Sequence, residues 1–235
     1  MKRVTAPELM DAPVLDEAEL ARSLRDLRMV NRWLGGRRTI LRRVGKLLAG
    51  TPPGRYRILD VATGSADIPL AVADHRWGGG REVELTATDI HPQTLARARE
   101  RVESHPRVRV ERADALDLPY EDGAFHISLC STALHHFEEV AAVQILREMA
   151  RVSTLGIVVG DLRRSPLALL GARLLAGTVW RRSRFTRHDG PVSVRAAFTP
   201  AELLRLAERA GIREARARRE PVFRVSLTAR LDGSG

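Results

Sequence analysis

The chain has one cysteine, Cys130, in 235 residues. A lone thiol excludes a disulfide framework and a paired-cysteine metal site, and makes a reducing cytoplasm the expected location. Long apolar runs are also missing. The best candidate, "PLALLGARLLAGTVW" at 166–180, carries Arg173 and falls short of the ~20 residues a membrane helix needs. Residues 1–30 are studded with charge, so no signal peptide is expected. Lysine is nearly absent, Lys2 and Lys46 being the only two among 39 basic residues, and aromatics make up just 4%. The net charge of +10 would suit a nucleic acid or an anionic membrane. The arginines are spread along the chain, however, and with abundant Ala, Leu and Gly they match what GC-rich codons yield. Few rings are available to stack on bases, so no specific nucleic-acid partner is expected. No three histidines or acids fall at metal-ligand spacing, and no metal is expected.

What is present is periodic. The length suits one domain with a cover. Residues 1–20 read as a mobile acidic lead-in interrupted by Pro7 and Pro13. From Glu17 to Leu48, apolar residues recur at three- and four-residue steps: Leu20, Leu24, Leu27, Val30 and Leu34, then Ile40, Leu41, Val44, Leu47 and Leu48. This spacing predicts two helices broken at Gly35 and Gly36, an N-terminal helical lid over residues 1–50. A second unit, 51–235, then alternates strand, bend and helix. Strands are predicted at 56–62, 82–89, 107–115, 124–131 and 155–162, with helices between them, which implies right-handed crossovers and a parallel sheet covered on both faces. Residues 163–190, arginine-rich at both ends and apolar between, interrupt the pattern as an insert. "TPAE" at 199–202 is a capping box opening a helix that stops at Gly211. The segments 212–220 and 222–231 turn at Pro221 into a closing antiparallel hairpin. The predicted fold is α/β: a doubly wound, seven-stranded, mainly parallel sheet.

"ILDVATGSADIPLA" at 58–71 marks the first strand-to-helix corner. Ligands of open parallel sheets bind beyond the carboxyl ends of the strands. Asp60 closes strand one, Asp89 closes strand two, and Asp114 lies just past strand three. An ionised acid at the tip of strand two suits a ribose diol. A pyrophosphate wants G-x-G-x-x-G at the corner, but this one has a single glycine, and Asp60 and Asp67 bring negative charge to it. A phosphate-free, cationic nucleoside fits better.

These features resemble class I S-adenosylmethionine-dependent methyltransferases. The family pattern of an acid followed by three alternate glycines maps onto Asp60, Ala62, Gly64 and Ala66, and the two alanines are expected to hold the bend at negative φ. "CSTALHHF" at 130–137 matches the "LHH" run of small-molecule members. The resemblance implies a Rossmann-like fold and S-adenosyl-L-methionine as cofactor. Asp60, Ala62, Thr63 and Gly64 would lie against its methionine part, Asp89 on the ribose, Ile90 on the adenine, and Asp114 with Ala115 at the amino edge, Ser131 completing the set. The nearest likeness is to ubiquinone and menaquinone biosynthesis methyltransferases, which have a segment similar to "MVNRWLGGRR" at 29–38. It would put Asn31, Arg32 and Trp33 over the cofactor, Asn31 and Trp33 serving the acceptor.

Methyl transfer needs alignment of a nucleophile and, for a phenol or enol, removal of a proton. His135 and His136, at the end of strand four, are the candidate bases, although each would serve equally to pack or cap the next helix. His188 and Asp189 form a second candidate pair reaching across the acceptor pocket, or else a turn before Pro191. Arg163 or Arg164 would hold an acidic group of the substrate. Cys130 reads as a small core residue, and His75 and His91 receive no role. The expected acceptor is a phenolic, quinol-like or polyketide-type small molecule in a pocket formed by the insert, whose arginines also suit peripheral contact with an anionic membrane. A nucleic-acid methyltransferase is the alternative, although strand four lacks the Asp/Asn-Pro-Pro-aromatic run of base-flipping amino methylases. A non-catalytic or NAD-binding protein of the same fold is a third reading.

Overall fold

The computed structural model describes residues 1–231, so the last four residues of the expected 51–235 unit lie outside it. Helix α1 spans Glu17–Trp33 and opens at Asp16, whose carboxylate accepts the Glu19 N–H at 2.8 Å. The chain reverses at Gly35 (φ 81°) into α2, Gly36–Leu48. There follow β1 (Gly54–Val61), α3 (Asp67–Ala73), β2 (Arg81–Asp89), α4 (Pro92–Val102), β3 (Val108–Arg112), β4 (Phe125–Ser131), α5 (Glu139–Arg151) and β5 (Ser153–Leu162). The expected insert is two helices, α6 (Pro166–Gly177) and α7 (Arg184–Ala196). α8 (Pro200–Arg209) then leads to β6 (Ala215–Glu220) and β7 (Arg224–Arg230). The reciprocal capping box of Thr199 and Glu202 opens α8 as its sequence indicates.

The seven strands run in the order β3-β2-β1-β4-β5-β7-β6, with β1 to β5 parallel and β7 antiparallel to both its neighbours. Because side chains alternate across a strand, Ile58 faces α2, α3 and α4, whereas Leu59 faces α5 and α8. Two cores result, one on each side of the sheet. The order reverses between β1 and β4, so the crevice above these strand ends is the ligand site that topology dictates.

Three expectations for the chain's architecture change. α2 is a layer of the core, its Ile40, Val44, Leu47 and Leu48 buried against the sheet, and α1 alone of the two helices covers the crevice. Residues 1–20 are packed, not a free lead-in. Leu9 and Met10 donate their N–H groups to Asp189, and Arg3 holds the carbonyls of Ala196, His135 and Phe137. Asp189–Gly190 forms no turn and lies within α7. A Cβ on Gly190 would sit 2.7 Å from the Trp180 ring, so this glycine permits close helix packing.

Candidate active site

The corner after β1 is left-handed at all three glycine positions of the pattern: Ala62 (φ 57°), Gly64 (φ 58°) and Ala66 (φ 55°). Negative φ at the alanines is therefore not observed. An L-residue in this region is disfavoured by roughly 1–2 kcal/mol, and surrounding contacts must impose it. Those contacts come from β2: Thr63 N–H donates to Thr88 O at 2.8 Å, and Gly64 N–H to Asp89 Oδ2 at 2.9 Å. A Cβ on Gly64 would meet no atom within 4 Å, so the bend opens onto free space.

Around this bend lie polar atoms without partners. Asp60 is 1% exposed, and its Oδ1, Thr63 Oγ1 and Ser131 Oγ are all buried and unbonded. Burial pushes the Asp60 carboxyl up to about 7, and neighbouring Asp67 and Asp89 add to the rise. Arg224, fully buried at the start of β7, holds Thr132 Oγ1 (2.8 Å), Leu34 O (3.2 Å) and Asn31 Oδ1 (3.3 Å), all neutral acceptors. Burial lowers its guanidinium to about 10, with Asp161 and Asp67 opposing the change. A buried cation bonded only to neutral groups suits an anion, and the unpartnered Asp60 oxygen suits a cation. An amino-acid-bearing sulfonium nucleoside offers both, so these residues fit S-adenosylmethionine.

The corner opens into a cavity of about 630 Å³. Ala62, Gly64, Asp89 and Ile90 line one end. Leu24, Leu27 and Val30 of α1 roof it, and Leu174, Leu175 and Trp180 of the insert close the far side. The tip of the β6–β7 hairpin enters as Val222 and Phe223, both left-handed without being glycine (φ 55° and 56°), a strained conformation held at the cavity wall.

The cavity's polar wall combines the "LHH" run with the N-terminus. His135, 1% exposed, has Nδ1 2.7 Å from Asp161 Oδ1 and Nε2 3.6 Å from Glu8 Oε1. Burial alone would lower its pKa, but Asp161 and Glu8 outweigh it and raise the imidazole to about 10. His135 is thus held as an imidazolium, which is not a base at neutral pH. His136 has Nδ1 3.1 Å from Asp11 Oδ1 and Nε2 3.8 Å from Glu8 Oε2. Despite its burial, Glu8 is held below its ordinary range by the two histidines and by Ser193.

Of the residues singled out from sequence, Ala62, Gly64, Asp89, Ile90, His135, His136 and Asp189 line this cavity. Asp60, Thr63 and Ser131 lie buried behind the corner. The others go elsewhere. Asp114 is exposed and caps the Leu116 N–H at 2.9 Å, while Ala115 packs on the α5 side of the core. Asn31 is a strut, donating to Asp67 Oδ2 at 3.2 Å and accepting from Arg224. Trp33 is 72% exposed beneath the Arg32 guanidinium. Arg164 is committed to Glu202 at 2.5 Å and to the Ala197 carbonyl, and Arg163 has its Nε buried and unbonded outside the cavity wall. The His188–Asp189 bond exists at 2.8 Å, but His188 faces outward while Asp189 anchors the N-terminal turn. His91, without an assigned role, lines the cavity and reaches Ala12 O at 3.1 Å. Glu8, Asp11, Asp161 and Arg224 were not foreseen. Only Asp161 carries a sequence signal, an acid ending a strand beside the crevice.

Residues 58–156 match the family described as Methyltransferase domain. The demethylmenaquinone methyltransferase of Deinococcus radiodurans is 36% identical over 101 residues, 43% of this chain and 39% of that protein. The 27-O-demethylrifamycin SV methyltransferase of Amycolatopsis mediterranei is 31% identical over 121 residues, 48% of this chain and 42% of that protein. The chain thus spans about two-fifths of the length of these curated relatives. Human N-acetylserotonin methyltransferase, solved in complex with S-adenosylmethionine, shares the fold at a TM-score of 0.68 and 17% identity, over 97% of this chain and 60% of that one. Over residues 58–156 the chain is similar to class I S-adenosylmethionine-dependent methyltransferases, and its fold is the one they share. Within that class its sequence stands near the quinone-type enzymes.

Proposed function

We propose that this protein transfers a methyl group from S-adenosylmethionine to a hydroxyl- or enol-bearing small molecule, of phenolic, quinol-like or polyketide type. The observation that carries the reading is the single cavity joining the unsatisfied corner at Gly64 to the imidazolium of His135, with apolar walls between. Bound there, the nucleoside supplies an electrophilic methyl on a positive sulfur. Asp89 accepts from its ribose, Asp60 faces its ammonium end, and Arg224 takes its carboxylate. The acceptor's ring lies among the leucines of the cover and insert. In this reading the imidazolium of His135, paired with Asp161, stabilises the oxyanion formed as the acceptor loses its proton, and His136, paired with Asp11, receives that proton. The demethylmenaquinone and demethylrifamycin relatives are consistent with ring-bearing acceptors. A tritiated-methyl screen across phenols, quinols and RNA tests this. Incorporation into RNA alone would overturn it in favour of a nucleic-acid enzyme.

A peripheral membrane contact belongs to the same reading. No helix among the described residues is long and apolar enough to cross a membrane. Leu167, Leu170 and Leu174 nevertheless form an exposed stripe on α6, and Leu174 also lines the cavity. A lipid-soluble acceptor would enter across that stripe from an anionic surface contacted by Arg173, Arg181 and Arg182.

A further inference from the structure

The polar wall has the geometry of a metal site. Glu8, His135 and His136 each present a ligand atom, and these atoms lie within 4.8 Å of one another. Each imidazole has its Nδ1 fixed by a carboxylate, Asp161 at 2.7 Å for His135 and Asp11 at 3.1 Å for His136. Both Nε2 atoms are thereby turned toward Glu8, at 3.6 Å and 3.8 Å from its two oxygens. Ligands about 2.0–2.2 Å from a tetrahedral zinc ion lie roughly 3.3–3.6 Å apart, so small rotations would close the set on one ion. A carboxylate bonded to the far nitrogen of a ligating histidine is the usual outer support of such sites, because it fixes the tautomer and raises ligand basicity.

The charge count agrees. Three carboxylates, Glu8, Asp11 and Asp161, surround two imidazoles, and among the described residues none of the three forms an ion pair with lysine or arginine. All three ligand residues line the cavity, which leaves the remaining coordination position facing the acceptor.

We propose that Glu8, His135 and His136 bind one divalent transition-metal ion of the zinc type, whose open position takes the acceptor oxygen. Two nitrogens and one carboxylate oxygen match a catalytic zinc set, and borderline ions of this kind favour imidazole over all-oxygen sites. The proposal rests on the methyltransferase reading for its role. Coordinated to the metal, the acceptor hydroxyl releases its proton to solvent, and its oxygen remains as an anion next to the methyl donor. The oxygen–carbon bond forms as the sulfur–carbon bond breaks, and the electron pair of that bond returns to sulfur, leaving a neutral thioether. In the metal-bound state His135 and His136 are ligands, and the metal takes over stabilisation of the oxyanion.

The test uses untagged, chelator-treated protein. Equilibrium dialysis against zinc chloride and titration with cobalt(II) chloride should each show one saturable equivalent, the cobalt form displaying the visible absorption of a low-coordinate N/O site. Glu8→Gln, an isosteric change, and His136→Asn, both checked by circular dichroism, should each weaken uptake at least tenfold, while His105→Ala at a distant surface should not. Absence of a saturable equivalent, or uptake undiminished in both cluster variants, would overturn the metal site. Calorimetry with S-adenosylhomocysteine on the same samples separates the two claims: nucleoside binding without metal uptake defeats the metal site alone, and metal uptake without nucleoside binding defeats the methyltransferase reading.

Discussion

The backbone N–H of Gly64 donates to Oδ2 of Asp89 at 2.9 Å, tying the tip of β2 to the corner after β1. One carboxylate thus shapes the bend and keeps its Oδ1 near the crevice, where it also accepts the His91 N–H at 3.0 Å. Asp89→Ala would leave two backbone donors unpaired, Gly64 N–H and His91 N–H, at a cost of about 1–3 kcal/mol each where they stay dry, and remove the ribose acceptor as well. S-adenosylhomocysteine affinity should fall by more than tenfold in calorimetry. Undiminished affinity would show that the nucleoside does not occupy this corner.

Asp60 should make cofactor affinity depend on pH. Its carboxyl, raised to about 7 by burial, is neutral in mildly acidic solution and charged above that pH. Affinity for the cationic cofactor should therefore drop as pH falls through 7, with a limiting slope of about tenfold per unit for one linked proton. The stability effect has the opposite sign. A folded pKa above the unfolded value favours the folded state at low pH, and that contribution is lost as pH rises from about 4 through 7. Asp60→Asn should flatten the affinity profile and raise the melting temperature at pH 8, by an amount reflecting at most about 4 kcal/mol, with little change at pH 4. A wild-type affinity profile in the variant would remove Asp60 from the site.

Arg224 should discriminate nucleosides by their amino-acid tail. Charge-assisted bonds contribute about 1.5–3 kcal/mol, so Arg224→Met should weaken S-adenosylhomocysteine binding roughly ten- to a hundredfold. 5′-Methylthioadenosine, which has no carboxylate, should bind the variant and the wild type alike. Equal losses for both ligands would mean that Arg224 serves only to join β7 to Leu34 and Thr132.

How much of this was legible depends on what fixes each residue. Asp60 and Asp89 close locally periodic strands and Gly64 lies in the bend after the first, so the pattern alone predicts all three at or just behind the crevice. The left-handed Ala62 and Ala66 were not legible, because the neighbouring strand imposes their backbone against local preference. Glu8 looked like part of a loose acidic segment. Its position depends on Ser193, His135 and the hold of Asp189 on Leu9 and Met10, contacts spanning most of the chain. Arg224 was hidden among many arginines, and only the hairpin's place beside β5 brings it to the cavity. For His135 the residue was legible but its protonation was not, since that follows from Asp161 and Glu8 converging on one ring.

The α6 stripe yields the last prediction. Leu167, Leu170 and Leu174 recur at three- and four-residue steps and are 66%, 55% and 62% exposed, with Val179 at 60% nearby. A water-facing helix seldom presents such a row, and its neighbours Arg173, Arg181 and Arg182 are the groups an anionic lipid surface attracts. Each exposed leucine buried at an interface contributes about 1.5–3 kcal/mol at full desolvation, so a pair of them dominates any weak electrostatic attraction. The protein should therefore float with vesicles containing phosphatidylglycerol and release in high salt only in part. Leu167→Gln combined with Leu170→Gln, neither of which lines the cavity, should abolish flotation while leaving S-adenosylhomocysteine binding intact. Wild-type protein that stays at the bottom of the gradient with anionic vesicles would assign the stripe to something other than a membrane.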